Sequence, residues 1–79
     1  MKSPPKKLAD QTVRAYARYR DADLHYLPTA RQAVFFDRAQ ALFKKLVRSM
    51  ECSSNEEWMV SQNISHMVSQ MTPSKRPPR

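Results

Sequence analysis

Seventy-nine residues with no glycine and a formal charge of +7 allow one small domain and leave out whole classes of chemistry. Without glycine neither a phosphate-cradling P-loop nor a dinucleotide-binding turn can be written, and the tight glycine hairpins of β-rich folds are missing too. The excess charge lies at the ends, in Lys2, Lys6, Lys7, Lys75, Arg76 and Arg79, whereas residues 8–74 hold eight cations against seven anions.

Residues 1–7, MKSPPKK, read as a basic proline-lysine arm, extended or mobile and too polar to enter a core. A first helix is expected over 8–27, closed by Pro28, which removes a backbone donor and biases the preceding residue away from helix. Ala9, Val13, Tyr16, Ala17, Leu24 and Leu27 form its main apolar face. Arg20 falls within that stripe and must snorkel or pair with a carboxylate such as Asp23. A second, softer stripe of Ala15, Tyr19, Ala22 and Tyr26 alternates small residues with tyrosines. It suits packing against the third helix, or a partner, or a second copy of the chain.

The clearest pattern is 29–50, TARQAVFFDRAQALFKKLVRSM. At about 100° per residue, Phe35, Phe36, Ala39, Leu42, Phe43, Leu46, Val47 and Met50 share one side of a helix. Arg31, Asp37, Arg38, Lys44, Lys45 and Arg48 take the other side. Thr29 and Gln32 have the spacing of a capping box at its start. Three phenylalanines on one face demand cover, which makes this helix the expected spine of the fold. A third helix is expected over 54–71, capped by Ser54 with Glu57 and stopped by Pro73, with Val60, Ile64, Met67, Val68 and Met71 facing inward. Residues 72–79, TPSKRPPR, read as a second basic, proline-rich tail. The sequence therefore predicts an all-α, three-helix domain over 8–71 with flexible basic ends.

Catalysis and metal binding find little support. His25, Cys52 and His66 are widely spaced, with neither a CxxC nor an HxxxH pair, so no metal site and no cofactor is expected. Cys52 precedes a helix start, where the dipole can lower a thiol pKa, yet no nucleophile motif surrounds it. Glu56 and Glu57 are adjacent on a helix and point apart, which fits first-turn stabilisation better than acid-base work. A non-enzyme is expected. A lone cysteine suits a reducing compartment, the N-terminal lysines lack a following apolar run, and nothing approaches the roughly 20 apolar residues of a membrane span. A cytoplasmic setting follows as the expectation.

What remains is binding. A protein partner would use Tyr19, Tyr26, Trp58 and Met59, since exposed aromatics and methionine serve interfaces. The size and composition suit an inhibitor, adaptor or other small regulator of a phage or mobile element. The alternative is a nucleic-acid-binding regulator gripping phosphates with Arg31, Arg38, Lys44, Lys45 and Arg48, helped by Lys75 and Arg76 of the tail. Against that second role, no helix-turn-helix signature appears and the acidic residues of the first helix are expected close to any bound phosphate.

Overall fold

The computed structural model describes residues 2–79, which form three helices and no strand: α1 (Lys6–Leu24), α2 (Thr29–Ser49) and α3 (Ser54–Gln70). The all-α class expected from the periodicity is therefore observed. α2 and α3 start where expected, at Thr29 and Ser54; the other helix ends differ, and the differences have local causes.

α1 starts directly after Pro5, whose fixed φ leads into the first turn and whose carbonyl accepts from the Ala9 amide at 2.9 Å. Lys6 and Lys7 thus belong to the helix and not to the arm. At the other end Pro28 is not the terminator. Tyr26 adopts a left-handed backbone (φ 54°), and the Tyr26 and Leu27 amides donate back to Asp23 and Ala22, each at 3.0 Å. That bond pair is a Schellman motif, which ends α1 at Leu24. α2 ends in the same way. Glu51 is left-handed (φ 53°), and the Glu51 and Cys52 amides donate to Arg48 and Val47, each at 3.2 Å. A chain without glycine thus places tyrosine and glutamate where glycine is usual, at about 1 kcal/mol each.

The expected caps also shift. Thr29 is the first helical residue of α2 and makes no cap; Pro28 precedes it, and the Gln32 side chain donates to the Leu27 carbonyl at 2.8 Å. For α3 the capping box is Ser53 with Glu56, one residue earlier than the Ser54–Glu57 pair. The Ser53 amide donates to Glu56 Oε1 at 3.0 Å, and the Glu56 amide donates to Ser53 Oγ at 3.4 Å. These Ser53 hydrogen bonds hold the Glu56 carboxyl below its ordinary pKa.

The spine is α1, not α2. α1 packs closely on α2 and less extensively on α3, while the backbones of α2 and α3 approach each other at few points. One core cluster joins Ala17 of α1, Leu46, Val47 and Met50 at the end of α2, and Val60, Ile64 and Val68 of α3. Ala15, Ala22, Phe35 and Ala39 are also buried but lie outside that cluster, between the first two helices. Ala22 and Ala39 have no exposed surface at all, so the two backbones can approach closely there. The softer stripe of α1 therefore packs on the second helix rather than the third, and it splits. Its alanines are buried, the Tyr19 ring meets Phe36 at 5.1 Å between centroids, and Tyr26 stands 92% exposed. Of the phenylalanines only Phe35 is fully buried; Phe43 is half-buried and Phe36 reaches the surface.

Arg20 does not pair with Asp23. Its guanidinium binds Asp21 Oδ1 through Nε at 3.3 Å and Nη2 at 3.1 Å. Nη1 donates to the Val68 carbonyl and, at 2.8 Å, to that of Met71. One cation of α1 thus closes the C-terminal end of α3, where the helix dipole is negative and the last turn of α3 has no basic residue. The two ends of the chain also rest on the body. The Lys2 amide donates to the Met50 carbonyl at 2.8 Å, and His25 Nε2 lies 2.8 Å from the Ser74 carbonyl oxygen.

Candidate nucleic-acid interface

Burial of α1 and α2 on each other leaves one flank of α2 lying beside α1. Arg38 and Lys45 come from that flank; Arg14 and Arg18 come from α1. The four cations line a hollow of about 500 Å³, completed by Gln11, Ala15, Ala41 and Leu42. Its lining contains no carboxylate. Among the described residues, none of these four cations forms an ion pair.

The strip continues along α2. Arg31 and Arg38 share a second hollow with Arg79, floored by Val34 and Phe35. A third, next to it, is lined by Arg31, Leu27 and the tail from Arg76 to Arg79. Neither is lined by an Asp or Glu side chain. The returning tail thus sets Arg76 and Arg79 beside Arg31. Lys45, Arg38 and Arg31 are seven residues apart, about 10.5 Å per step and about 21 Å in all along a helix. Two of the three first-helix acids are drawn away from the strip; Asp10, exposed one turn before Arg14, is not. Asp21 is buried against Arg20, Asp23 lines a different groove, and Asp10 lines none of the three hollows.

The structure divides the basic residues expected to act together. Arg31, Arg38, Lys45 and Arg76 join the strip. Lys44 and Arg48 do not: they line a separate hollow with Glu51, Glu57 and Cys52, where the local charge is mixed. Lys75 is exposed but lines none of the three basic hollows. Arg14 and Arg18 were missed by sequence reasoning, although Gln11, Arg14 and Arg18 have the spacing of one helix face.

The residues expected at a protein interface are also separated. Tyr19 lines a groove of about 530 Å³ between the helices with Tyr16, Phe43 and Ile64, rimmed by Arg20 and Asp23. Burial raises the pKa of Tyr16 there. Tyr26 stands alone on the α1–α2 turn. Trp58 and Met59 are 66% and 54% exposed on the outer face of α3.

Cys52 is half-buried in the α2–α3 turn. Desolvation and the nearby Glu56 and Glu57 carboxylates raise its thiol pKa, the reverse of the lowering that a helix dipole can give at such a position. Among the described residues no three His, Cys, Asp or Glu side chains converge in a metal-binding group. No helix among them is long and apolar enough to cross a membrane. No family model matches the chain, and no curated protein or solved structure is significantly similar to it.

Proposed function

We propose that the chain is a small non-enzymatic regulator that acts by binding, and that its working surface is the cationic strip of α1, α2 and the C-terminal tail. The ligand class that fits is the phosphate backbone of a nucleic acid. The observation that carries this reading is the absence of any Asp or Glu side chain from the lining of three adjoining hollows that gather Arg14, Arg18, Arg31, Arg38, Lys45, Arg76 and Arg79. Residues 8–74 are nearly neutral by count, but no Asp or Glu side chain lines these hollows. Unpaired cations on one side give a local positive potential that attracts polyanions and releases their counterions on binding.

Gel-shift titration against generic nucleic acid at low salt tests the reading. The native chain is expected to bind, and Arg38→Glu/Lys45→Glu to lose binding with its helix content intact. Reversal of Lys44 and Arg48, which lie off the strip, is expected to cost far less. No shift by the native chain at low salt would remove the reading.

Trp58 and Met59 favour a second reading, an adaptor or inhibitor that docks on a larger protein through the outer face of α3. Large apolar groups in that position, beside the neutral Gln62, suit an interface anchor. Affinity capture from nuclease-treated lysate, with native protein beside Trp58→Ser/Met59→Ser, tests it; equal capture by both would exclude this face. A cytoplasmic setting and an origin in a phage or mobile element belong to the proposal on either reading.

A further inference from the structure

We infer that the strip's preferred ligand is a double-stranded nucleic acid, held by its backbone, rather than a single strand. The inference rests on the nucleic-acid reading above and adds the form of the ligand.

Proteins that hold single strands combine a basic groove with aromatic faces on which bases stack. The strip offers cations without such faces. Phe35 is the one aromatic residue lining its three hollows, and at 4% exposure it presents no ring to a base. Tyr16 and Tyr19 open into a different groove, Phe36 packs on Tyr19, and Trp58 lies on α3; Tyr26, exposed next to Leu27 at the tail end of the strip, is a single ring and gives no run of stacking faces. A single strand would therefore gain only charge attraction here, while paying to be straightened.

A duplex needs no straightening. It carries one negative charge per about 1.7 Å of axis, so the row of Arg31, Arg38 and Lys45, about 21 Å long, meets a dense and fixed array of phosphates. The cations are also more than one row wide, because Arg14 and Arg18 face Arg38 and Lys45 across the α1–α2 hollow. Those rows are held rigidly. Ala15, Ala22 and Ala39 close the α1–α2 contact, so the spacing is set before any ligand arrives. A stiff, broad and aromatic-poor cationic face matches a stiff, broad polyanion.

The test is fluorescence polarisation of the full chain with a labelled duplex of about 20 base pairs, and with one of its strands alone, at about 50 mM and 200 mM salt. The duplex is expected to bind at least about tenfold tighter than the strand, and to weaken by about a thousandfold between the two salt concentrations. Arg14→Ala/Arg18→Ala is expected to reduce the magnitude of the log–log salt slope by about 2. Arg38→Ala/Lys45→Ala gives the same readout from the other row should the first variant lose helix content. A strand bound as tightly as the duplex overturns the inference and leaves the nucleic-acid reading standing. Neither ligand bound at the lower salt overturns both, as does tighter capture by vesicles of anionic lipid than by duplex.

Discussion

α1 and α2 form one kind of structure and α3 another. The first two helices meet around small side chains, with Ala22 and Ala39 wholly enclosed and Ala15 nearly so, flanked by Phe35 and the Tyr19–Phe36 ring pair. α3 reaches the others through larger groups, Val60, Ile64 and Val68, and is fastened at its far end by Arg20. The close pair carries most of the cationic strip; the looser helix carries the exposed Trp58 and Met59. Rigidity and charge thus coincide in one part of the molecule, while the larger apolar exposure and the weaker attachment coincide in the other. The contrast teaches that a short chain can give up packing around one helix if a single arginine and a good N-cap hold it.

Substitutions can break or sharpen this contrast. The largest effect is expected at Leu46, only 2% exposed in the cluster shared by all three helices. Leu46→Ala removes about 3 kcal/mol or more, which approaches the whole stability of a domain this small at about 3–5 kcal/mol. Thermal melting should show a largely unfolded protein at room temperature; a normal melt would place the core elsewhere.

Next comes the α3 fastening. Arg20→Met leaves the buried Asp21 without its cation and strips a donor from the Val68 and Met71 carbonyls, at about 2–3 kcal/mol. Hydrogen exchange should accelerate in α3 before α1 and α2. Adding Asp21→Asn should recover part of the loss, because the uncompensated charge is then gone. Uniform acceleration across all three helices would contradict the division into two parts.

The N-cap of α3 is a smaller lever. Ser53→Ala should cost about 1 kcal/mol. Acid should act on the same cap: with the Glu56 pKa held below its unfolded value, its stabilisation is present above the ordinary carboxylate range and lost as pH falls through the depressed folded value. A pH series of helix content on Ser53→Ala and native protein checks the sign, since the native chain should lose more on acidification. The smallest changes are gains. Tyr26→Gly and Glu51→Gly each remove a left-handed non-glycine residue, and each should stabilise by about 0.5–1 kcal/mol in denaturant melts.

Much of the fold was legible because helix periodicity is a local property. The 100° spacing of Phe35, Ala39, Leu46 and Met50 identifies the buried side of α2 without knowledge of its neighbours. The ends were less legible. Pro28 looked like a stop, but the chain turns two residues earlier at Tyr26, a residue type that gives no warning of a left-handed backbone. The choice of spine was misread for a different reason. Hydrophobicity ranks α2 first, whereas alanine, which carries little hydrophobic signal, lets α1 sit between two partners. The site was half legible. Arg31, Arg38 and Lys45 could be placed on one edge by their spacing of seven, but that Arg14 and Arg18 join them, and that Lys44 and Arg48 turn towards Glu51 and Glu57, depends on how helices cross.

Where the ligand touches the protein can be read directly by titrating duplex into isotopically labelled full-length chain and following the backbone and arginine side-chain resonances. Shifts are expected at Arg14, Arg18, Arg31, Arg38 and Lys45, with the Trp58 indole unmoved. Shifts gathered on Trp58 and Met59, or on Lys44 and Arg48, would contradict the strip as the working surface.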